Sequence, residues 1–222
     1  MCHTGDMSDK PAGKREKNQA IVDAKIRACA RDELASVGPV ALSMRAIARE
    51  AGMASSAIYR YYPTREALLT ALIVESYAEL AAALEAVTIA PGLYPELLWT
   101  LRANALRDWA LANPHQFQLI YGTPIPDYQA PPETIPMAER VARCFLDLSP
   151  AEPATPVDDK LAAQLEPLGG APAAAILGAL SQIIGHVSLE LAGHFTGTAD
   201  PADLLWAHVI RTQVRTIGLD AD

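Results

Sequence analysis

The sequence predicts an all-α protein, and two observations lead to that fold class. From Asn18 almost to the C-terminus, apolar residues recur with the spacing of amphipathic helices, and no segment shows the strict alternation of a β-strand. Gly and Pro lie between the helical segments, where helices are expected to end. Hydrophobic residues make up 50% of the 222 residues and charged residues 20%, so the chain can bury a core over most of its length.

Composition favours a soluble, cytoplasmic protein. The sequence has no uninterrupted apolar run of about 20 residues, the length that spans a bilayer. Residues 1–17 are polar and lack the apolar centre of a signal peptide. The three cysteines, Cys2, Cys29 and Cys144, are odd in number and widely spaced, which favours reduced thiols over a disulfide framework or a zinc motif. We expect no cofactor.

Charge is distributed unevenly, although the formal net charge is −8. Residues 1–65 contain 11 Lys and Arg against 7 Asp and Glu, whereas residues 66–222 contain 7 against 19. A basic first part on an acidic remainder suggests that only the first part meets a polyanion. Residues 1–17 are predicted to form a flexible basic arm.

Four helices are predicted before the first proline-rich break. Their approximate ranges are 18–38, 43–52, 55–61 and 64–87. Ser43 is the predicted N-cap of the second helix and Thr64 that of the fourth, because a hydroxyl can accept from a free backbone N–H of the first turn. Glu66 lies in the positive first turn of the fourth helix.

The second and third helices have the register of a helix-turn-helix. The turn needs a residue that tolerates a left-handed backbone, and Gly52 is there. A small residue is needed four positions earlier, where the two helices touch, and Ala48 is there. The positions that must face the core are Ile47, Ala51, Met53, Ile58 and Tyr61. The alternative is an ordinary helical core with solvated arginines and tyrosines that only pack, and the joint pattern favours the helix-turn-helix over it.

The side chains left outside that core are suited to DNA. Arginine can bind guanine O6 and N7 with two hydrogen bonds, and small residues allow close approach to base edges. The groove-facing residues predicted on the recognition helix are Ser55, Ser56, Tyr59 and Arg60. The predicted contacts to the DNA backbone, which position without specifying, are Ser43, Arg45, Tyr61, Tyr62, Thr64 and Arg65.

The segment "MRAIAREAGMASSAIYRYYPTREALLTAL" resembles the signature of the TetR family of bacterial transcription regulators. A second segment, "LANPHQFQLIYGTPIPDY", is similar to one found in a subset of that family. Two positions depart from the usual pattern. Ala54 stands where Ser or Thr often caps the recognition helix, so Ser55 is the alternative start of that helix. Tyr62 replaces a Phe and is either an added phosphate contact or a core ring with a solvated edge. The resemblance implies a DNA-binding domain at 18–63, a connecting helix at 64–87, and a domain for ligand binding and dimerisation at 88–222.

The remainder of the chain is predicted to be helical with proline-rich interruptions. Five prolines lie between Tyr121 and Pro136, and residues 149–159 are interpreted as an exposed linker. The predicted helices are 95–112, 114–121, 135–148, 172–192 and 201–217.

The last two helices, 172–192 and 201–217, are the predicted homodimer interface. Gly178, Ser181 and Gly185 are small residues on neighbouring positions and allow another helix to approach closely. The resemblance places the family's dimer there, and the alternative is a core helix within one chain. A two-fold dimer also suits a two-fold-symmetric operator.

A ligand site is predicted among the aromatic and polar residues of the C-terminal part. The predicted ligand-binding residues are Trp99, Trp109, His115, Phe117, Tyr121, Tyr128, His186 and Glu190. Since no cluster of cationic side chains occurs there, a largely apolar or neutral effector is favoured. His186, Glu190 and His194 share one helical face, but a straight helix spreads them over two turns, so no metal site is predicted.

Together these features predict a transcriptional regulator, not an enzyme. We expect a ligand-responsive repressor that binds a pseudo-palindromic DNA operator as a homodimer; the repressor assignment is implied by the resemblance, and an activator is the alternative. The rivals are a helical-bundle metal-binding protein or enzyme with an accessory DNA-binding unit, and a protein that coats DNA nonspecifically. The sequence contains no Gly-rich phosphate loop, paired Glu-x-x-His motif or nucleophile-elbow pattern.

Overall fold

The computed structural model describes residues 13–90, 94–150, 152 and 155–219. Within these ranges every regular element is a helix and no β-strand occurs, which confirms the predicted fold class. The chain divides into two compact units, and the division falls between Leu69 and Thr70.

The first unit contains three complete helices and the start of a fourth. They are α1 at Lys14–Ala41, α2 at Met44–Glu50, α3 at Ser55–Ile58 and α4 at Arg65–Glu85. Helix α1 begins four residues before the predicted start at Asn18, so the end of the predicted arm is helical; residues 1–12 of that arm lie outside the described part. Gly38, with φ 74°, interrupts α1 close to its predicted end.

Hydroxyl caps begin two of these helices, as predicted. Oγ of Ser43 accepts from the backbone N of Ala46 at 3.3 Å. Oγ1 of Thr64 accepts from the backbone N of Ala67 at 3.1 Å. Ala54, which precedes α3, makes no side-chain cap. The backbone closes the first turn of α3, where N of Ala57 donates to the carbonyl of Ala54 at 2.8 Å.

Gly52 forms the turn between α2 and α3. Its φ of 70° is left-handed, a conformation that costs an L side chain energy and glycine almost none. The N–H of Gly52 donates to the carbonyl of Arg49 at 3.0 Å, and that of Met53 donates to the carbonyl of Ala48 at 2.9 Å. These two bonds are a Schellman motif, which satisfies carbonyls that the end of α2 would leave free.

The core of the first unit joins α1 to the helix-turn-helix. Ala48 has no exposed surface, so α2 and α3 meet closely there, as the register predicts. All four helices contribute fully buried aliphatic side chains to this unit: Ile26, Leu34, Ile47, Ile58, Leu68 and Leu69. Met53 and Tyr61, also predicted to face the core, are half-buried.

The second unit is built from the remainder of α4 and six further helices. They are α5 at Pro95–Ala112, α6 at Pro114–Tyr121, α7 at Ile135–Leu146, α8 at Asp159–Gln164, α9 at Ala171–Leu191 and α10 at Asp203–Thr216, with short 3-10 turns at Pro132–Thr134 and Glu166–Leu168. Helix α8 was not predicted. Asp158, at the end of the predicted linker, caps it by accepting from the backbone N of Lys160 at 2.9 Å.

Trp99 is fully buried in the core of the second unit. Its ring meets that of Phe145 edge-on, with centroids 5.2 Å apart. Its Nε1 donates to Oε1 of the buried Gln213 at 3.2 Å, and Nε2 of Gln213 donates to the carbonyl of Ala179 at 2.9 Å. A buried amide thus links α5, α9 and α10 with both of its polar ends satisfied.

Two helices, α4 and α9, are long and apolar enough to cross a membrane by length and composition alone. The core helix of a soluble protein passes the same test, so this is weak evidence for a membrane span. In α4, half of the most apolar stretch of 18 residues is buried inside the protein.

Candidate nucleic-acid interface and ligand cleft

The hydroxyl and guanidinium groups predicted to face DNA lie mostly on the surface of the first unit. The exposed members of the predicted set are Arg45, Ser55, Ser56, Tyr59, Arg60 and Thr64, while Ser43 and Tyr61 are half-buried. Helices α2 and α3 therefore present a polar surface while their aliphatic side chains hold the unit together.

Tyr62 was predicted to contact phosphate, but the structure places it in the buried interior of the first unit. Its side chain is only 8% exposed. Its hydroxyl donates to Oδ1 of Asp23 at 2.6 Å, a charge-assisted bond between the end of the helix-turn-helix and α1. Asp23 also pairs with Arg27 at 2.9 Å.

Arg65 likewise has internal partners where a phosphate contact was predicted. Its Nε donates to the carbonyl of Leu42 at 3.2 Å, and its Nη2 donates to the carbonyl of Val40 at 3.0 Å and to that of Pro39. The carbonyls of Pro39 and Val40 belong to the interrupted end of α1, and that of Leu42 directly follows it, where carbonyls lack helical partners. The guanidinium thus ties the start of α4 to the end of α1.

The second unit contains a cleft of about 780 Å³. Its walls come from α4, α6, α7, α9 and the five-proline loop between α6 and α7. Aliphatic side chains make up most of the lining: Ile73, Leu119, Ile120, Ile125, Ile135, Leu146, Leu168 and Leu177. A cleft of this size and character suits a largely apolar small molecule.

The polar groups of the cleft are mostly paired within the chain. The hydroxyl of Tyr128 lies 3.0 Å from Oγ1 of Thr70. That of Tyr77 donates to the carbonyl of Ile120 at 3.3 Å, and burial raises its pKa, so this phenol stays protonated. Of the described lining residues only Glu139 carries a charge, and it pairs with Arg143 at 3.0 Å.

Of the eight predicted ligand-binding residues, only Tyr128 lines this cleft. Trp99 and Phe117 are core residues, and His115 is exposed. Tyr121 does not line the cleft, but its ring meets edge-on that of Tyr77, which does, with centroids 5.8 Å apart. Trp109 is half-buried and does not line the cleft.

His186 and Glu190, also predicted to bind ligand, belong instead to a buried cluster around Arg107. The Arg107 guanidinium holds Glu190 with two hydrogen bonds of 2.8 and 2.6 Å, and its third nitrogen, Nη1, donates to Asp203 at 2.9 Å. It also lies over the ring of Trp206, 5.5 Å from its centroid. The cluster ties together α5, α9 and α10.

The three residues predicted to share one helical face do not do so. Helix α9 ends at Leu191, so His194 lies beyond it and is exposed. His186 is buried, and its ring packs at a tilt against those of Phe195 and Trp206, with centroids 4.8 and 5.2 Å away. Across the described ranges no group of three or more His, Cys, Asp or Glu side chains could hold a metal ion.

Most of the cleft was not predicted, because its lining is mainly aliphatic and the sequence-based prediction was of aromatic side chains. Ile73, Ile125, Ile135 and Leu168 come from four separate parts of the chain. The available signal was the loop with five prolines, since an irregular segment that long needs a surface to pack on.

Comparison with known proteins gives a consistent result. The family model described as "Bacterial regulatory proteins, tetR family" matches residues 26–72, and the one described as "Tetracyclin repressor-like, C-terminal domain" matches residues 99–213. The HTH-type transcriptional regulator Rv1816 of Mycobacterium tuberculosis is 41% identical over 147 residues, which are 64% of this chain and 62% of that protein. The chain thus spans about three-fifths of that curated relative.

Solved structures agree with this result. The regulatory protein SCO4313, whose crystal structure is known, is 33% identical to this chain. The two structures match with a TM-score of 0.76 over 91% of this chain and 99% of that one. A TetR-family regulatory protein from Rhodococcus RHA1 is 21% identical with a TM-score of 0.63, covering 90% and 98%, which shows a shared fold. Its two domain matches and its likeness to SCO4313 establish that this chain belongs to the TetR family of bacterial regulatory proteins.

Proposed function

We propose that the protein is a transcriptional regulator that binds a pseudo-palindromic DNA operator as a homodimer and releases it when a small effector binds. The observation that carries this proposal is the helix-turn-helix whose buried face is aliphatic and whose exposed face carries Ser55, Ser56, Tyr59 and Arg60. Ser43, Arg45 and Thr64 are suited to hold the DNA backbone on either side. Action on chromosomal DNA would place the protein in the cytoplasm.

The homodimer is proposed to form through α9 and α10. A side-chain carbon added at Gly178 or Gly185 would meet no atom within 4 Å, so the space over these glycines is open in the single chain. Leu189 and Leu204 are 46% and 83% exposed on the same two helices. Open space over small residues, together with exposed leucines on the same two helices, suits close packing against a second copy.

A leucine substitution tests that interface. Gly185→Leu should fill the space that the partner helix needs, and sedimentation should then show monomers where the parent chain forms dimers. Leu161→Ala, an exposed leucine on α8, is the matched surface control and should leave the dimer intact. A G185L chain that stays dimeric would place the interface elsewhere.

The proposed effector is a largely apolar, uncharged molecule. The cleft is lined mainly by aliphatic side chains, and no described lining residue could neutralise an anion. Release of DNA requires the effector to bind the two conformations of the dimer with different affinity. The family supports a repressor, and an activator would bind the same operator with the opposite effect on transcription.

Selection of bound fragments from the source genome, followed by anisotropy titration, tests the function. We expect a recovered palindrome that binds at least about 10³ times more tightly than its scramble at physiological salt. Equal affinity for both would identify a nonspecific DNA-coating protein and end the proposal. A transcription assay with the palindrome upstream of a reporter would separate repressor from activator.

A further inference from the structure

A second cleft, in the first unit, lies between α1 and the turn after α3. Its volume is about 360 Å³. Its lining residues are Arg15, Asn18, Gln19 and Val22 from α1 and Arg60 and Tyr61 from the turn. The predicted DNA-binding set includes the last two of these residues and none of the first four.

The geometry of the two elements brings these side chains together. The four α1 residues are spaced i, i+3, i+4 and i+7, so they share one face of the helix. The turn is fixed by two backbone bonds, from N of Arg60 to the carbonyl of Ala57 at 3.2 Å and from N of Tyr61 to that of Ile58 at 2.9 Å. Arg60 is therefore presented toward α1 from the C-terminal end of the recognition helix.

The chemistry of this cleft suits an anion. Two guanidiniums line it and no carboxylate does, among the residues that the structure describes. Glu16, the neighbouring acid on α1, accepts instead from the backbone N of Gly13 at 2.7 Å. Guanidinium groups bind phosphate oxygens in a planar, two-pronged geometry, and the amides of Asn18 and Gln19 add neutral donors beside them.

We infer that this cleft binds a phosphodiester of the DNA backbone next to the groove that α3 enters. The inference rests on the proposed function. It assigns Arg60 to the backbone, where the sequence predicted base reading, because a recognition helix contacts base edges through its N-terminal residues and Arg60 lies beyond its other end. It also makes Arg15, on the first turn of α1, a DNA contact.

Salt-dependent anisotropy titrations test the assignment. Arg15→Gln and Arg60→Gln are compared with Lys17→Gln, which removes the same charge from the same helix but does not line the cleft. Each cleft variant should bind the operator and a random duplex about tenfold more weakly. Each should also lower the slope of log affinity against log salt, and the two together should lower it by about 0.9, the contribution of one phosphate, while the base preference stays unchanged.

The double variant shows whether the two arginines hold the same phosphate. If they do, Arg15→Gln should cost less affinity in the Arg60→Gln background than in the parent, whereas Lys17→Gln should cost the same in both. An Arg15→Gln variant that behaves like Lys17→Gln, or an Arg60→Gln variant that flattens base preference, would overturn the inference. Failure of the proposed function looks different, because the parent protein would then show no preference for the operator.

Discussion

The hydroxyl of Tyr128 lies 3.0 Å from Oγ1 of Thr70, so a residue that lines the cleft of about 780 Å³ is hydrogen-bonded to α4. Tyr128 belongs to the five-proline loop, and the bond holds that loop against the helix. Tyr128→Phe should lower the free energy of unfolding by about 0.5–1.5 kcal/mol, the net contribution of one such bond. Urea denaturation followed by tryptophan fluorescence measures the loss.

Tyr94→Phe is the matched control for that prediction. Tyr94 is 56% exposed and its hydroxyl has no hydrogen-bond partner in the described structure, so its removal should leave stability within about 0.5 kcal/mol of the parent. Equal losses in the two variants would mean that the bond between Tyr128 and Thr70 contributes nothing to stability.

Gly52 should tolerate only residues that accept a left-handed backbone. Gly52→Ala should destabilise the first unit by about 1–2 kcal/mol, because its φ of 70° brings an added Cβ too close to the backbone. Gly52→Asn should cost less, since asparagine adopts this conformation more readily. Hydrogen exchange of α2 amides measures both effects, and equal protection in the two variants would contradict the backbone explanation.

The ion pairs of Arg107 should differ sharply in their contribution to stability. The side chain of Glu190 is 15% exposed and that of Asp203 is 66% exposed. Glu190→Gln leaves a nearly buried guanidinium without its two-pronged partner and should cost about 3 kcal/mol. Asp203→Asn should cost less than about 1 kcal/mol, as expected for an exposed pair.

Thermal unfolding of the two variants checks this difference. Effector affinity should be unchanged in Glu190→Gln, because Glu190 does not line the cleft. A selective loss of effector binding in that variant would restore the original assignment of Glu190 as a ligand-binding residue.

His186 should make the protein less stable as the pH falls. Burial lowers the pKa of this imidazole, the positive charge of Arg107 lowers it further and Glu190 opposes the shift. Its Nε2 is buried without a hydrogen-bond partner in the described structure. Since the unfolded chain then takes up the proton first, near its usual pKa of about 6.5, stability should decrease as the pH falls through that value.

Denaturation at pH 7.5 and at about pH 5.5 tests the effect of His186. His186→Gln should reduce the difference in stability between the two conditions. His115→Gln changes an exposed histidine and should leave the difference as it is in the parent. An identical response of both variants would show that His186 does not contribute to the pH dependence of stability.

The fold could be predicted because local chemistry determines most of its helix ends. Ser43 and Thr64 cap their helices and Gly52 turns left-handed, each through bonds within a few residues. The predicted ranges 95–112 and 114–121 match α5 and α6 at both ends, since Pro begins each helix.

The sites could be predicted only in part because they depend on distant partners. The sequence identified Tyr62 and Arg65 as polar and predicted that they contact DNA, but their partners lie 39 and 23 to 26 residues away, on α1 and at Leu42 directly after it. Aromatic content suggested Trp99 and Phe117 for the ligand, although large rings fill cores as often as they line clefts. Sequence alone gave no means of deciding between these environments.

The placement of Trp99 in the second unit has a spectroscopic consequence. All three tryptophans of the sequence, at 99, 109 and 206, follow the division between the units, and the first unit contains none. Fluorescence excited at the red edge of indole absorption therefore follows unfolding or ligand binding in the second unit alone. Replacing the exposed Tyr59 with tryptophan would add an emitter on the helix-turn-helix, and the two halves of the chain could then be followed separately.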